Sequence, residues 1–231
     1  MKGKQVLLTG GTGGLGLGVT PIFVAAGAQV IIPYRSESGI IRLKAKMPAA
    51  DFDRIVFVKA DLNDESTVEK LVNDIGRVDV LVHLVGGFSM GRTDEFSFQD
   101  WKASFDLNLH TTFLVCKHCL RVMRRQGYGR IVTIASRGAL QPGAQLAAYC
   151  ASKAGVVALT QAIAQETKNL DITANVVLPS VIDTPSNREA MGDAQADEWV
   201  KPESLAEVIE FLASDAARDV RGVAIPVYGS V

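Results

Sequence analysis

The chain predicts an α/β protein: one domain in which a parallel sheet is covered by helices on both faces. Three observations carry that prediction. Short runs rich in Val, Ile and Leu alternate with longer helix-like segments along all 231 residues. The short runs are apolar at successive positions, as in strands buried on both faces. No internal repeat, low-complexity tract or Pro/Gly/Ser linker marks a second domain.

Taken in order, the first strand is expected at 4–9 and runs straight into Thr9-Gly10-Gly11-Thr12-Gly13-Gly14-Leu15-Gly16, after which a helix of about 14–26 begins. Glycines between a strand and a helix let backbone N–H groups approach a phosphate at the helix N-terminus. A mobile loop is the competing reading of such a cluster, and its placement favours nucleotide binding. Further strands are expected at 28–33, 55–60, 78–85, 130–136, 172–178 and 224–228, and helices at about 64–75, 99–126, 147–168 and 203–213. The polar stretch 183–202, with Pro185 and Gly192, reads as an active-site flap.

Composition narrows the function classes. The chain is 48% hydrophobic and 21% charged with a formal net charge of -1, which suits one soluble domain and gives no basic field for nucleic acid or an anionic membrane. Lys2 and Lys4 before Val6-Leu7-Leu8 resemble the start of a signal peptide, but Thr9-Gly10-Gly11 ends the apolar run too early. No apolar stretch approaches the roughly 20 residues of a membrane span. Three cysteines, Cys116, Cys119 and Cys150, make no disulfide framework, so a cytoplasmic setting is expected. Cys116-Lys117-His118-Cys119 lacks a second ligand pair and lies inside a helical segment, so it reads as packing and no metal is expected.

Tyr149-Cys150-Ala151-Ser152-Lys153 puts a phenol and an ammonium on one helix face. Free tyrosine has a pKa of about 10, and lowering it by roughly 3 units takes about 4 kcal/mol. A cation about 4 Å away at an effective dielectric near 20 supplies about that much, and burial opposes it. The pair is therefore a candidate proton donor with its tuner. The plain alternative is a half-buried Tyr under a solvated Lys stem.

Taken together, the motifs resemble the short-chain dehydrogenase/reductase family. Thr9-Gly10-x-x-x-Gly14-x-Gly16 matches its cofactor motif and Tyr149-x-x-x-Lys153 its catalytic one, with Asp61, Asn108, Ser136 and Pro179 through Thr184 following in family order along nearly the whole chain. The resemblance implies a doubly wound, seven-stranded Rossmann sheet and a cofactor half of about 1–125, with catalytic and substrate parts in 126–231. It also implies hydride transfer between a nicotinamide cofactor and a small carbonyl or alcohol substrate, and a homodimer or homotetramer paired through the long helices. By the same resemblance Tyr149 is the general acid, Ser136 binds the reacting oxygen, Lys153 also holds the cofactor ribose, and Asn108 holds a relay water. Cofactor contacts are implied for Gly10, Thr12, Gly13, Gly14, Leu15 and Gly16 in the turn, and for Asp61, Leu62 and Gly86 beyond it. Pro179, Ile182 and Thr184 complete the implied set, with Tyr149 and Lys153.

Cofactor choice falls to Tyr34-Arg35-Ser36 at the end of the second strand. NAD-preferring relatives usually place an acid where Tyr34 stands; here Arg35 follows, a guanidinium suited to a 2′-phosphate, with Ser36 as a second contact. NADP(H) is expected, with NAD(H) as the alternative, since Gly13 stands where many NADP-using relatives carry a basic residue. His83-Leu84-Val85-Gly86-Gly87 departs from the usual Asn-Asn-Ala-Gly, and His83 reads as structural. Pro179-Ser180 replaces the usual Pro-Gly. Residues 178–188, with Met191, Trp199, Pro202 and Val85-Gly86-Gly87-Phe88, look like quinonoid dihydropteridine reductases, whereas Ser136 points to ketone or 3-oxoacyl reduction. Arg188 and the cluster Arg121, Arg124 and Arg125 read as surface charges before anion or carrier contacts. A protein that senses NADP(H) without turnover is the alternative of another class.

Overall fold

The computed structural model describes residues 1–230. Strands run over β1 (Gln5–Thr9), β2 (Gln29–Tyr34), β3 (Val56–Lys59), β4 (Val80–His83), β5 (Tyr128–Ile134), β6 (Asp171–Pro179) and β7 (Ala224–Val227). Helices run over α1 (Gly16–Ala25), α2 (Glu37–Lys44), α3 (Ala49–Phe52), α4 (Glu65–Ile75), α5 (Phe98–Phe105), α6 (Thr111–Gln126), α7 (Ala147–Glu166), α8 (Pro185–Met191) and α9 (Pro202–Ala213). The strands form one sheet in the order β3-β2-β1-β4-β5-β6-β7, with every neighbouring pair parallel. The chain winds outward from β1 to β3, then returns to lay β4 on the other side of β1. That reversal opens a crevice at the carboxyl ends of β1 and β4, where such sheets bind ligands.

Successive strand side chains point to opposite faces, so apolar runs supply two cores at once. Val6, Leu8, Ile32 and Val82 pack on one face with Phe23 of α1 and Leu205 and Ile209 of α9. Leu7, Ile31, Leu81 and Ile131 turn the other way, onto Leu71 of α4 and Val115, Cys119 and Val122 of α6. Each buried Val, Leu or Ile contributes roughly 1.5–3 kcal/mol. α7 closes a third cluster by packing Val156 and Val157 with Val176 and Leu178 of β6.

Local chemistry sets the boundaries. Asp64 caps α4 by accepting from the Ser66 N–H at 3.0 Å, and Ser97 caps α5 by accepting from the Asp100 N–H at 3.0 Å. α6 ends at Gly127 in the left-handed conformation, and α9 opens on Pro202 at its first turn.

Three features differ from the sequence expectation. The segment 99–126 is not one regular helix: a π turn over Asp106–His110 separates α5 from α6. Helices α2 and α3 were not anticipated, because α2 is short and contains Gly39 while α3 is a single turn. The flap is structured by α8 and by an isolated bridge between Ile182 and Val200. Trp199 of the flap is buried, 4% exposed.

No helix among the described residues is long and apolar enough to cross a membrane. Nor do they contain a group of three or more His, Cys, Asp or Glu able to hold a metal. Cys116 and Cys119 are buried in α6, where burial pushes the Cys116 thiol up to about 12 and Cys119 up as well, as expected of packing cysteines.

Candidate active site

A cavity of about 790 Å³ occupies the crevice at the carboxyl ends of the strands. At one end lies the glycine turn. Gly10 has φ +73°, and a Cβ there would stand 3.0 Å from the backbone of Leu84 and Val85 at the end of β4. A Cβ on Gly16 would fall 2.3 Å from the Gly10 carbonyl oxygen, and one on Gly14 would meet Thr184 of the flap at 3.0 Å. Glycine at these three positions lets the turn close, and the start of α1 faces the cavity, where a helix N-terminus favours an anion. The residues fit the diphosphate of a nicotinamide dinucleotide. Thr12, Gly13 and Leu15 complete the cradle wall, and Thr20 donates to the Gly11 carbonyl at 2.9 Å to brace it.

Tyr34, Arg35 and Ser36 leave β2 along one side of the cavity, and Ser36 caps α2. Asp61 and Leu62 follow β3, with Asp61 accepting from the Asn63 N–H at 3.0 Å. Gly86 follows β4, and a Cβ there would lie 2.8 Å from Lys153 Nζ and 2.9 Å from Asn108 Oδ1. Pro179, Ile182 and Thr184 form the wall under the flap. All the residues expected to contact a cofactor thus line one cavity.

Ser136, Tyr149 and Lys153 line the same space. Ser136 follows β5 and opens a 3₁₀ turn, its Oγ accepting from the Gly138 N–H at 3.2 Å. Tyr149 stands in the first turn of α7, its ring meeting Phe88 edge-on at 5.1 Å between centroids. Lys153, one turn further, is 5% exposed and donates to the Ile134 carbonyl at 3.0 Å.

The electrostatics correct one expectation. Burial pushes the Tyr149 phenol above its ordinary range, the hydrogen bond with Ser136 pulls it back, and the Cys150 thiol adds a further upward push. Lys153 does not act as its lowering partner here: the ammonium is committed to Ile134, and burial pushes its own pKa down to about 8.

Asn108 stands apart from the cavity wall. It is 1% exposed within the π turn; its Oδ1 accepts from the Gly87 N–H at 2.9 Å, and its Nδ2 donates to the Gly87 carbonyl at 3.1 Å. Its backbone carbonyl accepts from Thr112 Oγ1 at 2.6 Å. The amide therefore braces the loop after β4, next to the Lys153 ammonium.

His83 is buried between strands, with Nδ1 2.8 Å from Thr9 Oγ1. Burial, then the charge of Lys153, pushes it down to about 3, so it is neutral near pH 7 and ties β1 to β4. Arg188 faces no cavity anion: it forks onto Asp183 at 2.6 and 3.0 Å and reaches Asp193 at 2.8 Å. Arg121 pairs with Glu69 at 3.4 Å and Arg124 reaches the Glu166 carbonyl at 3.1 Å, both on the surface.

Sequence reasoning missed several wall residues. Ser38 and Arg42 come from the unanticipated α2, Leu146 precedes α7, and Asn187 lies on α8. An amphipathic reading of 37–44 around the Ser36 cap was the one available signal for the first two.

Comparison with known proteins agrees with this architecture. The profile of the family described as short chain dehydrogenase matches residues 4–195. The chain is 29% identical to the D-beta-hydroxybutyrate dehydrogenase of Cupriavidus necator, with 96% of this chain and 95% of the relative aligned. It is 30% identical to the 3-oxoacyl-[acyl-carrier-protein] reductase FabG of Escherichia coli, covering 100% and 98%. Its structure superposes on a variant actinorhodin polyketide ketoreductase with NADPH at a TM-score of 0.89 and 31% identity, covering 98% and 96%. With the parallel sheet, the glycine cradle and this agreement along the chain, the protein belongs to the short-chain dehydrogenase/reductase family of nicotinamide-dependent oxidoreductases acting on hydroxyl and carbonyl groups.

Proposed function

We propose that this protein is an NADP(H)-dependent reductase of ketones or 3-oxoacyl compounds, with Tyr149 as the general acid. The observation that carries the reading is the convergence of Tyr149, Ser136 and Lys153 on one wall of a cavity whose far end is a glycine-built anion cradle. The nicotinamide, when bound, supplies the hydride.

Tyr149 holds its proton through the neutral range, because burial raises its pKa, and delivers it from Oη to the carbonyl oxygen of the substrate. Ser136 donates a hydrogen bond to the same oxygen and stabilises the charge that develops there. Lys153 places a positive charge behind that oxygen and offers N–H donors to a ribose hydroxyl. Asn108 keeps the Gly86-Gly87 backbone where the cofactor must pass. Arg35 and Ser36 take the 2′-phosphate.

The test is NADPH oxidation with a panel of ketones, 3-oxoacyl thioesters, quinones and quinonoid dihydropterin, the last because residues 85–88 and 178–188 resemble dihydropteridine reductases. Tyr149→Phe is expected to lower kcat by about 10² or more with the fold intact. Full activity in that variant would remove Tyr149 from the role. NADPH binding by a wild type that reduces nothing in the panel would favour a cofactor-sensing protein. Assembly into dimers or tetramers through α6 and α7 belongs to the same reading, and a monomer in light scattering contradicts it.

A further inference from the structure

We infer that Arg42 of α2 is a specificity-determining residue: a second guanidinium for the 2′-phosphate of NADP(H), serving where the glycine turn itself carries no basic side chain. The inference rests on the NADP(H) reading above and extends it to a residue outside the recognised motifs.

Helix α2 is docked on the phosphate turn. Gly39 is buried against it, and a Cβ there would stand 2.7 Å from Thr12 Oγ1 and 2.8 Å from Thr12 Cβ. Residues three apart on a helix share a face. Arg42 therefore rises from the side of α2 that Gly39 presses onto the turn, and it lines the cavity together with Arg35, Ser36 and Ser38. Lys44, two positions on, points elsewhere: it is absent from the cavity wall and lies over the Phe52 ring at 5.6 Å.

The remaining groups at this corner suit a dianion. Ser36 Oγ and Ser38 Oγ are 2.9 Å apart at the helix start, so one hydroxyl donates to the other and the second keeps its hydrogen for an outside acceptor. Two guanidiniums, one on the loop after β2 and one on α2, line the same cavity from different elements. A fork donor on each side matches the geometry of a phosphate monoester. Among the described residues neither Arg35 nor Arg42 makes an ion pair or a side-chain hydrogen bond to an acid, whereas Arg77, Arg92, Arg121, Arg130 and Arg188 are each paired. Gly13 leaves the turn without a cation, and Arg42 adds one to the cavity wall from the helix whose Gly39 lies against Thr12.

Affinities for NADPH, NADH and the fragments 2′,5′-ADP and 5′-ADP would be measured by fluorescence and calorimetry on the wild type and on Arg35→Ala, Arg42→Ala, Arg42→Lys and Lys44→Ala. Arg42→Ala is expected to weaken NADPH and 2′,5′-ADP by roughly five- to tenfold at low salt, while NADH and 5′-ADP stay unchanged. Arg42→Lys should recover part of the loss, and Lys44→Ala should lose nothing. An Arg42→Ala protein that keeps the wild-type preference while Arg35→Ala loses it would overturn the role of Arg42 and leave the cofactor reading standing. Equal losses for NADPH and NADH, or a Lys44→Ala loss as large as that of Arg42→Ala, would likewise overturn it, as helix distortion or a diffuse field. A wild type with no preference for NADPH would overturn the cofactor reading and this inference with it.

Discussion

Enclosing the Lys153 ammonium costs the fold free energy, since the side chain is 5% exposed and burial pushes its pKa down from 10.5 to about 8. A shift of that size corresponds to roughly 3 kcal/mol. Because the folded pKa lies below the unfolded one, the penalty is complete below about 8 and is relieved as pH rises toward 10.5, where the unfolded chain binds the extra proton. Lys153→Met is therefore expected to abolish turnover yet raise Tm at pH 7, by about 2–4 °C per kcal/mol recovered. Calorimetry checks it: a lower Tm would mean that the bond to Ile134 outweighs desolvation. In the wild type, carbonyl reduction should hold level up to about pH 8 and decline above it as Lys153 loses its charge. The residue types of this site were legible in the sequence, because Tyr and Lys four apart in a helix must share a face. Their electrostatics were not, because burial belongs to the surroundings and here overrides the pairwise attraction.

The flap and α2 carry the element-scale lessons. Asp183, its side chain 12% exposed, accepts from Arg188 at 2.6 and 3.0 Å and from Lys201 at 2.7 Å, which holds its carboxyl well below the usual range. The group binds the start of α8 to the chain entering α9, and the neighbouring Thr184 rests on Gly14 of the phosphate turn. Asp183→Asn is expected to loosen this latch. Cofactor KM should rise several-fold and protease cleavage within 186–196 should accelerate, with little change in Tm. Unchanged cleavage and KM would show the ion pairs to be ornamental to the flap. Residues 183–202 could be read as a flap from their polarity, but not as a latched one, since Lys201 is 18 positions from its partner. Helix α2 is not legible in its own residues for a related reason. Its stability comes from the Ser36 cap and from docking on Thr12, and Gly39, which weakens an isolated helix, is what permits that docking.

Across the whole molecule the two ends of the sheet do different work. The carboxyl end holds the cavity, while the amino end is knitted by charge. Arg130, 1% exposed, donates to Asp171 at 2.9 Å and to Asp215 at 3.3 Å, and Asp215 also accepts from Tyr128 at 2.7 Å and pairs with Lys4 at 3.6 Å. Asp215→Ala leaves the buried guanidinium with one carboxylate fewer. Asp215 is itself 63% exposed, so water screens the pair and the loss is held to about 1–2 kcal/mol, or roughly 2–8 °C in Tm. Thermal melts and turnover measured together check this: kcat should be unaffected, and a fall in kcat would reveal coupling between the two ends.

The order and type of the strands, the glycine turn and the shared helix face of Tyr149 and Lys153 were determined by the sequence alone. Each is a local property, because side-chain periodicity and the freedom of glycine act between near neighbours along the chain. The amide of Asn108 clamping Gly87, the placement of Arg42 beside the phosphate turn and the raised pKa of Tyr149 were decided only by tertiary structure. Those depend on contacts between segments far apart in sequence and on how much water the packed fold leaves around a charge, which no spacing of residues encodes.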